Sequence, residues 1–353
     1  MTDFADLVRA FDIQANACVA FGSPFSGALL KRAKDEIAPG TGLAQLLSPF
    51  KGMNARALMG DAVPLRWLGC LHDLALSGDA PALTAAFPAA DRPGDVDASW
   101  TAALARMAAD PARFAGFMAH EPQTNEVRRS TCLLPMFLTV AAQTGLPLRL
   151  FEIGASAGLN QLWDRYAYDY GSGMTWGDTG AAVRLDAAWT GSPPPLGAGV
   201  HVVSRAACDR KPVDIRDPVA RRRLKSYVWA DQFERLARLD GAIATALAAN
   251  TRVEAEDAVT WTARRARPEP GAATVLFHSV FWQYMPAESQ TALSAVIADL
   301  GRQATAEAPF AWLRMEPAPR NLATMELRLT MWPGGEERLM GIGHAHGASV
   351  DWS

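Results

Sequence analysis

The stretch Leu148-Arg149-Leu150-Phe151-Glu152-Ile153-Gly154-Ala155-Ser156-Ala157-Gly158-Leu159-Asn160 decides the fold. A short apolar run, residues 148–153, meets two glycines and then a segment of helical character over residues 160–166, which reads as strand, tight turn and helix. Open α/β sheets bind ligands at such a point, outside the carboxyl end of a strand. With no side chain at Gly154 and Gly158 the backbone approaches a ligand closely, and the start of the helix offers N–H groups to an anion. Glu152, Gly154, Ala155, Ser156, Gly158 and Asn160 are therefore candidate cofactor-binding residues.

Downstream, an aromatic and glycine-rich stretch over 168–189 alternates like a hairpin and closes at Pro193-Pro194-Pro195, forming an insertion at about 165–200. A β-rich run follows at 201–207, then helices over 218–250, a short strand at 252–255, the strongest strand at 273–281, a helix at 287–303 and a strand at 310–315. Strands alternating with helices make parallel βαβ units. The tail, 325–332 and 337–352 around Pro333-Gly334-Gly335, reads as antiparallel strands joined by a tight turn. Upstream the texture is helical, as in Ala5, Leu7, Val8 and Phe11 or Leu65, Leu68, Leu71 and Leu74, with loop signals that divide it into about five or six helices. The expected organisation is a helical domain over 1–145 followed by an α/β domain over 146–353.

The chain has 353 residues, 49% of them hydrophobic, enough for a large core and more than one typical domain. A formal net charge of -3 gives no overall field favouring nucleic acid or an anionic membrane. Cys18, Cys70, Cys132 and Cys208 form no C-x-x-C pair, which argues against a zinc site and a disulfide framework. No apolar run is long enough to span a membrane, and Asp3 and Asp6 stand where a signal peptide carries positive charge, so the expectation is a cytoplasmic protein.

Further polar residues follow the later strands. Asp209 ends the second parallel strand and Asp257 follows the third. The fourth ends in His278-Ser279, with Gln283 and Tyr284 close behind, so these groups are expected to converge at one crevice. Thr124-Asn125-Glu126-Val127-Arg128 enters the helix that leads to the first strand, with Thr124 or Asn125 a candidate N-cap. Asn125, Glu126 and Arg128 are candidates for the wall of the site.

The chain resembles class I S-adenosylmethionine-dependent methyltransferases and, more closely and over nearly its whole length, bacterial domain-of-unknown-function family 2332 within that superfamily. The residues that carry the closer resemblance are 122–130, 152–160, 208–214, 227–238 and 278–284. The resemblance implies a Rossmann-like sheet, mostly parallel with an antiparallel terminal strand and order 3-2-1-4-5-7-6, and S-adenosylmethionine as cofactor. It implies the methionine carboxylate at the glycine turn, the ribose at Asp209 and the adenine amino group at Asp257, with His278 and Ser279 also near the cofactor. About forty residues separate the glycine turn from the second strand, so Tyr168-Asp169-Tyr170 competes with Asp209 for the ribose.

The expected reaction moves a methyl group to a small-molecule oxygen or nitrogen. The sulfonium is already activated, so the protein aligns the acceptor and excludes water. His278 is the expected base, because imidazole titrates near neutral pH, with Glu126 in reserve. Gln283, Tyr284, Asn125 and Arg128 are expected around the substrate.

Two alternatives stand beside this reading. Gly154-Ala155-Ser156-Ala157-Gly158 matches G-x-S-x-G, the nucleophile elbow of α/β-hydrolases, with Asp257 and either His278 or His344 completing a triad. That fold needs strands upstream of residue 148, where the sequence reads helical. The other alternative is a domain that binds the cofactor or a related nucleoside without catalysis. His344-Ala345-His346 reads as polar strand residues rather than a metal pair, His72 and His120 as surface or capping groups, and Arg221-Arg222-Arg223 with Lys225 as a solvated helix face or partners for acids.

Overall fold

The structure, a computed structural model, describes residues 4–318 and 321–353. The chain divides into two compact units, one formed by Met1–Thr124 with Arg216–Ala237, the other by Asn125–Ile215 with Arg238–Ser353.

The first unit is helical. Eight α-helices lie between Ala5 and Met118 among the described residues, more and shorter than the sequence suggests. Proline explains the difference. Pro24, Pro64, Pro81 and Pro111 each sit in the first or second position of a helix, where a fixed φ and a missing N–H start a new helix without cost. The core gathers Phe11, Trp67, Leu71, Trp100 and Phe114, and it also takes Tyr227 and Ala230. The Tyr227 ring fills the space beside Gly69, where a Cβ would lie 2.7 Å from it. Residues 216–237, placed by their position in the chain within the α/β domain, thus belong with the helices.

Among the described residues the second unit holds all the strands: β1 (Leu148–Ile153), β2 (Ala167–Asp169), β3 (Thr175–Trp176), β4 (Arg184–Asp186), β5 (Ala188–Gly191), β6 (Val202–Asp209), β7 (Glu254–Ala255), β8 (Ala273–Ser279), β9 (Phe310–Ala318), β10 (Asn321–Trp332), β11 (Glu336–His344) and β12 (Ser349–Trp352). Nine of them form one mixed sheet in the order β5-β12-β11-β10-β9-β8-β1-β6-β7. The run β7-β6-β1-β8-β9 is parallel, and β10, β11 and β12 continue it as an antiparallel meander in chain order. The inversion of the last two strands implied by the methyltransferase order is absent among the described residues. The pairing decides this: β10 lies directly against β9 and β11 lies outside it, whereas the implied order puts the last strand between the other two.

Alternation along the strands separates the two faces. Phe151, Ile153, Leu276, Phe310 and Trp312 pack with residues of the helices Ala258–Arg265 and Ala287–Gln303. The opposite face meets the helix Ser130–Thr144, whose Phe137 stacks on Trp163 and touches Phe277 edge-on. That helix, expected to close the helical domain, lies within the sheet unit.

Two local features sharpen the expectations. The helical segment after the turn, Leu159–Arg165, is of 3-10 type and kinked at Leu162. Tertiary bonds occupy its first residue, since Asn125 Oδ1 accepts the Leu159 N–H and the Tyr166 hydroxyl donates to the Leu159 carbonyl. The insertion is a three-stranded sheet, β3-β2-β4, instead of a hairpin, while β5 leaves it to pair with β12. Buried tyrosines fix it in place: the hydroxyls of Tyr168 and Tyr170 donate to the carbonyls of Trp163 and Thr131.

Candidate functional site

The site is built on the carboxyl ends of β1, β6, β8 and β9. After β1 the backbone turns left-handed three times, at Gly154 (φ +65°), Ser156 (φ +53°) and Gly158 (φ +72°). Ser156 is the unusual member, because a left-handed conformation outside glycine costs of order 1 kcal/mol and must be held by its surroundings. Its N–H donates to Asp209 Oδ2 at 2.9 Å, and its carbonyl accepts the Val213 N–H at 3.1 Å. Asp209 Oδ1 accepts the Lys211 N–H at 2.8 Å, so one carboxylate ties the loop after β1 to the loop after β6.

The segment before helix Ser130–Thr144 closes one side of this turn. Besides Asn125, which takes the Leu159 N–H, Asn160 Nδ2 donates to the Glu126 carbonyl at 3.4 Å and its Oδ1 accepts the Ser130 hydroxyl at 3.0 Å. Arg129 donates to the Ser279 carbonyl at 3.3 Å, which brings the end of β8 to the same segment. Of the three candidates for the wall, Asn125 and Glu126 lie against the glycine turn, whereas Arg128 turns to Asp186.

Glu152 is 3% exposed, and among the described residues its Oε2 has no hydrogen-bond partner. Burial, and then the charge of Asp209, push its carboxyl well above the usual range. The Ser156 hydroxyl is likewise buried and unpartnered. Glu152 aligns with Phe277 and so points to the face of helix Ser130–Thr144. His278, one residue further along β8, points to the other face, so the two flank the strand ends from opposite sides.

His278 is fully buried among Trp282, which stacks on it at 5.6 Å, Trp312 and Phe281. Its Nδ1 lies 2.6 Å from Glu316 Oε1, and its Nε2 is buried without a partner. The same carboxylate accepts the Phe281 N–H at 2.9 and 3.2 Å. The Phe281 ring lies directly on Gly154: a Cβ there would be 2.1 Å from its Cδ2. Glu316 is the residue that sequence reasoning missed. The apolar run reads as ending at Met315, one residue short, and the carboxylate two places after Arg314 gains its meaning only from the register that sets Arg314 beside His278.

Other candidates lie apart from this cluster. Asp257 caps the helix Ala258–Arg265, accepting the N–H groups of Val259 and Thr260 at 3.0 Å, and those bonds hold its carboxyl below the usual range. Gln283 and Tyr284 are exposed on a single 3-10 turn. Arg128 pairs with Asp186 of β4 at 2.6 Å. His344 accepts the His346 N–H through Nδ1, and burial with the Arg128 charge holds it below its ordinary value. His72, expected at the surface, is buried, with Nδ1 facing the carbonyls of Ser226 and Val228. The four cysteines are buried, and burial pushes the thiols of Cys18, Cys70 and Cys132 up to about 12, which leaves them inert. No metal-binding cluster occurs among the described residues, and no helix there is long and apolar enough to cross a membrane.

The fold and the cluster define a mixed α/β protein with polar groups gathered at the carboxyl ends of its parallel strands. The chain belongs to the bacterial family described as uncharacterized protein conserved in bacteria (DUF2332), whose model matches residues 8–352. Comparison with curated proteins gives no match.

Proposed function

We propose that this protein is a Rossmann-like, S-adenosylmethionine-dependent methyltransferase acting on a small molecule. The observation that carries the reading is the pairing of a left-handed glycine turn after β1 with the carboxylate of Asp209 at the end of the adjacent β6. The run β7-β6-β1-β8-β9 supports it, because a ligand crevice arises where successive connections leave the central strand in opposite directions.

The residues present fit the cofactor's polar groups. The bare Glu152 Oε2 and Ser156 Oγ suit an amine and a hydroxyl, and Asp209 stands beside them. Bound there, S-adenosylmethionine supplies a methyl group already activated on sulfur. The chain's own part is to hold it through Glu152, Gly154, Ser156 and Asp209, to exclude water with Phe281 and Trp282, and to accept the acceptor's proton at His278 Nε2.

Thermal denaturation with S-adenosylhomocysteine tests this, since a ligand bound only by the native state raises Tm by mass action. Asp209→Ala should weaken binding by roughly 1 to 3 kcal/mol, about five- to a hundred-fold. No Tm rise at concentrations well above millimolar would overturn the reading.

A serine hydrolase remains the second reading, favoured by the left-handed Ser156 with its unpartnered hydroxyl. Asp257, the acid that this reading named, serves as a helix cap, and the acid bonded to His278 is Glu316. Labelling of Ser156 by a fluorophosphonate would decide for it.

A further inference from the structure

We propose that Glu316 is a positioning residue: its carboxylate sets the tautomer of His278 and fixes Phe281 over the glycine turn, so that the base and the cover of the site move as one body. This rests on the reading of His278 as the base.

Three bonds reach this carboxylate. Oε1 faces His278 Nδ1 at 2.6 Å, and the Phe281 N–H donates to both oxygens at 2.9 and 3.2 Å. A carboxylate engaged by a backbone N–H acts as the acceptor, so the shared proton resides on Nδ1. That leaves the lone pair on Nε2, the atom buried among Phe281, Trp282 and Trp312 without a protein partner. A base with its proton fixed on the far nitrogen is ready to accept one from a substrate.

The link between β8 and Phe281 is strained as well as bonded. Val280 has φ +52°, a conformation that a β-branched residue rarely adopts. It is held there by its own N–H on the Met315 carbonyl at 2.8 Å and by the next N–H on Glu316. Glu316 thereby keeps the Phe281 ring against Gly154. Loss of its charge weakens both ties together, since hydrogen bonds to a charged acceptor are about twice as strong as neutral ones.

Nitrogen-15 and proton NMR of the whole protein tests this without any methyl acceptor. The wild type should show a pyrrole-type Nδ1 with a far-downfield proton and a pyridine-type Nε2 at His278. The isosteric Glu316→Gln should move that proton upfield and speed exchange of the Phe281 amide by roughly tenfold. A wild-type ring protonated on Nε2 alone, or His278 and Phe281 signals untouched by Glu316→Gln, would overturn the proposal. Because neither readout needs cofactor, a failure here is distinguishable from failure of S-adenosylhomocysteine to bind.

Discussion

Each unit buries a carboxyl group, and the two are built for opposite purposes. Asp73 of the helical unit is 4% exposed, and its two oxygens are held by Arg113 at 2.8 Å and Arg222 at 2.9 Å. Glu152 of the sheet unit is as deeply buried, but its Oε2 is bare and the neighbouring charge that acts on it is another acid. The buried histidines differ in the same way: His72 faces two backbone carbonyls, whereas His278 faces a carboxylate and leaves Nε2 unpartnered. Buried polar groups that are fully partnered specify a fold, and those left bare lower its stability unless a ligand completes them.

This contrast is most sharply broken at the two acids. Asp73→Asn removes the charge that two guanidinium groups share, leaving Arg113 only the Asp79 carboxylate at 4.0 Å, and should cost about 3 kcal/mol, read from the urea transition of the protein. Glu152→Gln should do the opposite. A folded-state value raised by burial means that the native protein holds a proton which the unfolded chain gives up as pH rises above the ordinary range, so stability falls with rising pH. The variant should melt above the wild type at pH 8, with the gap closing toward pH 4. A Glu152→Gln variant less stable at pH 8 would show that the carboxyl is partnered after all.

The histidine of the helical unit gives the next effect. Burial holds His72 down at about 4 against an ordinary 6.5. The unfolded chain therefore binds the extra proton between these values, and stability is lost as pH falls through that window, by about 3 kcal/mol when complete. His72→Asn should flatten the slope of stability against pH over the same range. An unchanged slope would place the titration elsewhere.

Phe281→Ala sharpens the contrast from the sheet side. Removing the ring that rests on Gly154 should tighten S-adenosylhomocysteine binding by roughly tenfold, on the order of 1.4 kcal/mol, in calorimetry. Weaker binding would mean that the ring is part of the ligand's own contact. The smallest effect is expected at Asp257, where alanine should cost about 1 kcal/mol as a lost helix cap and leave the ligand's affinity nearly unchanged.

Much of the second unit was legible because the signals are local. The apolar runs of β1, β8 and β9 and the helix 287–303 can be read directly from periodicity, and Gly154 and Gly158 mark a turn that only a left-handed backbone closes. What depends on distant partners was not legible. The placement of residues 216–237 follows from Tyr227 finding Gly69, and that of the three-stranded insertion from the Tyr170 hydroxyl finding the distant Thr131 carbonyl. Glu316 belongs to this group, since its meaning comes from the strand beside it.

The borders of the large sheet have a consequence of their own. One end is β7, two residues long, and the other is β5, four residues long, whose Trp189 ring leans on Trp352 at 5.8 Å. Pro193, Pro194 and Pro195 follow β5 at once and have no N–H to offer a further strand. At the opposite border Arg264 and Arg265 grip Glu254 and crowd the short strand with charge. The two border strands thus offer little ladder of their own to a second molecule, but β6 runs on past its neighbour, since β7 pairs only with Cys208 and Asp209, and so the place where edge-to-edge joining would begin among the described residues is the outer side of residues 202–207.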